Sequence, residues 1–131
     1  MSVSYEEAKR IVEAAFAASQ EMGIKIAVAV LDDRGDTVIQ ARMDGARWWW
    51  VDTCRAKAFA TTLFGVPSGE LTERLASGVG VAMLGLHPGK IAYAQGALPI
   101  MRDGRLIGAV GVGGGTSQQD EDAARAGIAA L

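Results

Sequence analysis

Between Ala8 and Phe16 apolar residues recur at helical spacing, with Ala8, Ile11, Val12, Ala15 and Phe16 on one face, so the chain is predicted to open with an amphipathic helix. Ser4-Tyr5-Glu6-Glu7 reads as its capping box, and Gly23 is placed to end it in a left-handed conformation. From Ile24 to Leu31 the pattern switches to alternation. Ile24, Ile26, Val28 and Val30 fall on one face, and Lys25, Ala27, Ala29 and Leu31 on the other, as a strand covered on both sides requires. Asp32-Asp33-Arg34-Gly35-Asp36 supplies turn chemistry, Thr37 to Met43 reads as the returning strand of a hairpin, and Asp44-Gly45 ends it. No Gly or Pro interrupts Ala46 to Phe64, which predicts one long second helix with Val51, Ala58, Thr62 and Trp48 on its buried stripe.

Ser68 is placed to cap a short helical turn through Leu75, while the glycine-spaced stretch Gly78 to Gly85 fits no single element. After the turn His87-Pro88-Gly89, three strands are predicted, at Ile91 to Ala94, Leu98 to Arg102 and Leu106 to Val112. Thr116-Ser117-Gln118-Gln119 is a second capping box, and Asp120, Glu121 and Asp122 suit the positive end of a last helix. The sum is a single α+β domain over residues 1–131, with helices packed on a five-stranded, mostly antiparallel sheet.

Composition narrows the function classes. Thirteen basic against fifteen acidic side chains, scattered along the chain, leave no footprint for a phosphate backbone, so nucleic-acid binding is not expected. With one cysteine, Cys54, no signal-peptide pattern and no apolar run of membrane-spanning length, the expectation is a cytoplasmic protein with no membrane association. Glycine is over-used, at 17 residues, and concentrates after residue 77, where tight turns or close backbone approaches are required.

The candidate chemistry begins at Gly113, Gly114, Gly115 and Thr116, a glycine loop between a strand and a helix start. Bare amides there can hold a carboxylate or phosphate oxygen; equally, the glycines can serve only a tight turn and close helix packing. The loop lacks the spacing of a phosphate-binding P-loop or a dinucleotide fingerprint. Arg47-Trp48-Trp49-Trp50 is the second anomaly. On one helix the three rings would sweep about 200°, so at least one faces outward, as a subunit contact or as the wall of a flat apolar pocket, with Trp49 a candidate ligand contact. Lys57 either snorkels to the surface or reaches a buried carboxylate or ligand anion. Asp52 is spaced to pair with Arg55, Cys54 reads as a structural thiol, and His87, the sole histidine, lies in a loop. No cluster with metal-ligand spacing is present.

With these residues in view, the chain resembles the GlcG/HbpS/PduO C-terminal family of haem-binding-like domains. The likeness rests on Ala27 to Asp32 followed by Gly35, on Arg42-Met43-Asp44-Gly45, Lys57-Ala58, Thr61 and Phe64-Gly65. It is densest at the end, in Leu98-Pro99-Ile100, Asp103-Gly104, Ile107 to Val112, Gly114-Gly115 and Gln119-Asp120-Glu121. The resemblance implies a profilin-like or PAS-like α/β/α layering of a five-stranded antiparallel sheet, and homo-oligomers, often octamers. Some relatives bind haem. Two departures stand out: the first helix here carries no histidine, and Ala97 stands where a second glycine is common.

Three expectations follow. In the first, an oligomeric protein binds haem or another flat carboxylated molecule, its acid groups on the Gly113 to Thr116 amides and Lys57, its plane on a tryptophan. In the second, a cofactor-free enzyme (isomerase, lyase or hydrolase) acts on a small carboxylate or aromatic metabolite, with His87, Asp52 or Lys57 moving protons. The third is a scaffold whose tryptophans are interface.

Overall fold

A computed structural model describes all residues 1–131. Helix α1 (Tyr5–Met22) starts as its sequence dictates: Ser4 Oγ accepts from the Glu7 amide while the Glu7 carboxylate accepts from the Ser4 amide, and Gly23 closes it at φ 73°. Strands β1 (Ala27–Asp32) and β2 (Thr37–Arg42) form the expected hairpin, in register from Ala27 opposite Arg42. Its turn is held by Asp32, whose Oδ1 accepts from the amides of Arg34 and Asp36. Helix α2 (Trp50–Phe64) follows, then a 3-10 helix (Ser68–Ala76), α3 (Gly78–Leu86), β3 (Ala97–Arg102), β4 (Arg105–Gly113) and α4 (Ser117–Ile128).

The sheet has four antiparallel strands in the order β2-β1-β4-β3, not five. Ile91 to Ala94 is the missing strand. Its backbone turns to α2 instead, the Ala92 amide donating to the Ala56 carbonyl, and Tyr93 buries against Ala60 and Leu71 with its hydroxyl donating to the Gly80 carbonyl at 2.8 Å. These local apolar contacts and a satisfied hydroxyl outcompete an edge ladder. The unassigned glycine-spaced stretch is α3, capped by Ser77, whose Oγ accepts from the Gly80 amide.

Helices cover both faces of the sheet. On one face Ile11, Val12 and Ala15 of α1 and Ala123 and Ala124 of α4 bury Val28, Val30, Val110 and Val112. On the other, Cys54 and Ala58 of α2 rest on Ala27, Ala29, Leu31, Ala97 and Ala109. That second face is built of small residues, and Gly111 shows why: a Cβ there would land on the Cys54 carbonyl oxygen and 3.0 Å from the Ala58 Cβ. Gly111 and Gly113 of β4 thus serve close helix packing, but the helix they admit is α2 rather than the one that follows them.

Helix α2 begins at Trp50, four residues later than its composition suggests. The Trp50 and Val51 amides donate to the carbonyls of Arg47 and Trp48, three residues back, so Arg47 to Trp49 is a tight lead-in turn. Trp48 is 69% exposed rather than buried, Trp49 is 38% exposed, and only Trp50 packs against the core beneath α2. The buried side of α2 is Cys54, Ala56, Lys57, Ala58, Ala60 and Thr61.

Candidate functional site

Two of the glycine loop's amides are already engaged. The Gly115 amide donates to Asp120 Oδ1 at 2.8 Å and the Thr116 amide to Gln119 Oε1 at 3.0 Å, and Thr116 Oγ1 accepts from the Gln119 amide to complete the predicted capping box. Asp120, which suited the helix dipole, consumes one of these donors, and the capping-box residue Gln119 the other. Gly113 is buried against the Trp50 ring, and Gly114, at φ 140°, lies so close to Lys25 that a side chain would strike its carbonyl.

Lys57 reaches a buried carboxylate. Its Nζ donates to Asp120 Oδ2 at 3.1 Å and to the Val112 carbonyl at 3.0 Å, beneath Gly96, so Lys57 and the loop are brought together through Asp120. Burial pushes the Asp120 pKa up, against the pull of Lys57 and the Gly115 amide. The other candidate proton carriers lie elsewhere. Asp52 is exposed and 3.8 Å from Arg55, as its spacing predicts, and the His87 ring packs tilted against Phe59 with ring centroids 5.6 Å apart. Neither they nor Lys57 line a cleft. Cys54 is a structural thiol: it is buried, and burial raises its pKa to about 11.

Two adjoining clefts share Lys25. One, about 360 Å³, is lined by Phe16, Gln20, Lys25, Arg42, Met43 and Asp44; the other, about 290 Å³, by Gly23, Ile24, Lys25, Gly45, Ala46, Arg47, Trp50 and Gly114. The hairpin register creates the pair, because setting Ala27 opposite Arg42 brings Lys25 beside the Asp44-Gly45 turn, where its side chain lies 3.9 Å from the position of a Gly45 Cβ. Lys25, Arg42 and Arg47 form no ion pair, and all three are exposed. The Arg47 guanidinium sits 5.0 Å from the Trp49 ring centroid, and Trp49 lies 5.9 Å from Trp50. Three cations against one carboxylate, flanked by aromatic rings, suit a flat anionic molecule.

A third cleft, about 410 Å³, lies between Pro67, Leu98, Pro99, Arg125, Ile128 and Ala129. Its cation Arg125 already pairs with Glu121 at 3.2 Å, and no aromatic ring lines it. Sequence reasoning singled out Arg47 only as part of the tryptophan run and passed over Lys25 and Arg42. The signal was in the hairpin, whose two cations converge only once its register is fixed.

The chain is 28% identical over its whole length to the corrinoid adenosyltransferase PduO of Citrobacter freundii, of which it spans 39%. It is 31% identical, over 91% of its length and 84% of the relative's, to an uncharacterised 15.0 kDa protein of the dhaT-dhaS intergenic region of the same organism. Among solved structures it superposes on a double mutant of Streptomyces reticuli HbpS with a TM-score of 0.89 and 32% identity, over 100% of this chain and 88% of that one. It matches PduOC in complex with haem with a TM-score of 0.90 and 25% identity, over 100% of this chain and 96% of the other. The family described as haem degrading protein HbpS-like matches residues 3–129, and the chain belongs to that HbpS-like family.

Proposed function

We propose that this protein binds haem or a related flat carboxylated molecule in the paired clefts around Lys25. The observation that carries the reading is the set of three unpaired cations, Lys25, Arg42 and Arg47, lining the two clefts beside the Phe16 and Trp50 rings in a chain of net charge −2. The haem complex of PduOC supports the choice of ligand. A macrocycle with two acid arms needs both clefts, since small-molecule sites usually occupy about 300–1,000 Å³ and each cleft alone is near the lower bound. The acid arms meet cationic side chains rather than the Gly113 to Thr116 amides, two of which are already committed. Titration with haemin, followed by the Soret band and by quenching of tryptophan emission, tests the reading. Saturable one-to-one binding at micromolar protein supports it; a linear, unsaturated response rejects it.

The same reading has the chain acting as a homo-oligomer. Val79 and Leu86 of α3 are each 71% exposed, and Val81 between them is 50% exposed, so this one helix leaves three large apolar side chains in water. A second copy covering α3 would bury them, and light scattering of Val79→Asp beside the unmodified protein checks this: a smaller particle for the variant is expected, and a monomer in both rejects the proposal. No helix is long and apolar enough to cross a membrane.

A further inference from the structure

Haem held by a protein usually takes an axial ligand from His, Cys, Met or Tyr. The residues around Lys25 do not fit that role. Neither cleft is lined by a histidine, cysteine or tyrosine. The only histidine, His87, packs tilted against Phe59, and Cys54 is on the buried side of α2, where its sulfur takes a hydrogen bond from the Gln40 side chain. Tyr93 spends its hydroxyl on Gly80, and Tyr5 lies eleven residues before Phe16 on α1, roughly 16 Å along the helix. Met43 is the one soft donor present, but it is only 8% exposed and its sulfur accepts from the Ile26 amide at 3.4 Å. Lys25, Arg42 and Arg47 are donors without a lone pair to give.

We infer that the site recognises its ligand by ring plane and carboxylates alone, with no protein ligand to the metal, so the class it takes is planar dicarboxylic tetrapyrroles whether or not they carry iron. This rests on the proposed haem-type binding and deepens it. Phe16 and Trp50, one lining each cleft, offer aromatic surface for the ring, and the three cations hold its acid arms through charge-assisted hydrogen bonds, none of which senses the centre of the macrocycle. Asp44, the only carboxylate in the clefts, would oppose those arms.

The test compares haemin, metal-free protoporphyrin IX and its dimethyl ester on the full chain by tryptophan quenching. The expected result is dissociation constants for haemin and protoporphyrin IX within about threefold and a loss of at least about tenfold for the ester, each factor of ten being about 1.4 kcal/mol. Haemin binding with protoporphyrin IX more than about tenfold weaker overturns the inference while leaving the proposed function standing; failure of both to bind overturns the function itself. Two variants locate any hidden ligand. With haemin bound, His87→Ala is expected to leave the absorption spectrum unchanged, which excludes a histidine reaching in from a second copy. Asp44→Asn is expected to bind as tightly or more tightly. A spectral change in His87→Ala, or lost affinity in Asp44→Asn, overturns the inference.

Discussion

Lys57 Nζ lies 3.1 Å from Asp120 Oδ2 with both side chains almost wholly out of water, tying the middle of α2 to the first turn of α4 across the end of β4. Each partner is further satisfied, Lys57 by the Val112 carbonyl and Asp120 by the Gly115 amide. Buried pairs of this kind are costly to break, because the partner left behind is a desolvated charge.

Lys57→Met should therefore cost about 3–5 kcal/mol near pH 7. The cost has a sign in pH. Burial raises the folded pKa of Asp120 above its ordinary 3.8, so its contribution to stability is fully present below that value and is lost as pH rises through the raised one. Removing the cation raises it further and deepens the loss. Urea denaturation of the variant and the unmodified protein should show a smaller difference near pH 4 than near pH 7; equal differences would contradict this account of the pair.

Gly111→Ala should destabilise by about 3 kcal/mol, since α2 has to lift off β4 to admit the methyl group. The measurement is the shift in denaturation midpoint at unchanged slope. A cost within about 0.5 kcal/mol, the range of an ordinary surface substitution, would mean that α2 does not lie where the Cys54 carbonyl places it.

Thr116→Ala removes the cap of α4 and should cost about 1 kcal/mol of stability. Haemin affinity should stay within about twofold, because the Gly115 and Thr116 amides are engaged by Asp120 and Gln119 rather than by ligand. Calorimetric titration of the variant separates the two effects, and a large affinity loss at modest destabilisation would restore the loop as the ligand's anchor.

Much of the fold was legible because its signals are local. Both capping boxes, the Gly23 stop and the alternation of Val28 and Val30 against Ala27, Ala29 and Leu31 depend on neighbours within a few residues, and each appears as read. The failures are tertiary. Ile91 to Ala94 has strand composition but finds better partners in Ala60 and Leu71, and the start of α2 slips to Trp50 because i to i+3 bonds satisfy the preceding turn. Site reasoning met the same divide. The glycine loop looks open in the sequence because Asp120 suggests a dipole partner rather than a side chain folding back on the Gly115 amide, and because the capping box that takes the Thr116 amide lies at the loop's end. Lys25 and Arg42, seventeen positions apart, meet at one pair of clefts only through the β1–β2 register.

The central claim is that Lys25, shared by both clefts, anchors the acid arms of a flat ligand. The haemin dissociation constant of Lys25→Glu against that of the unmodified protein tests it most directly, since the exposed side chain leaves the fold alone while its charge reverses. The account predicts affinity at least about tenfold weaker, with the gap narrowing as salt is raised. An unchanged dissociation constant in a folded variant would contradict it.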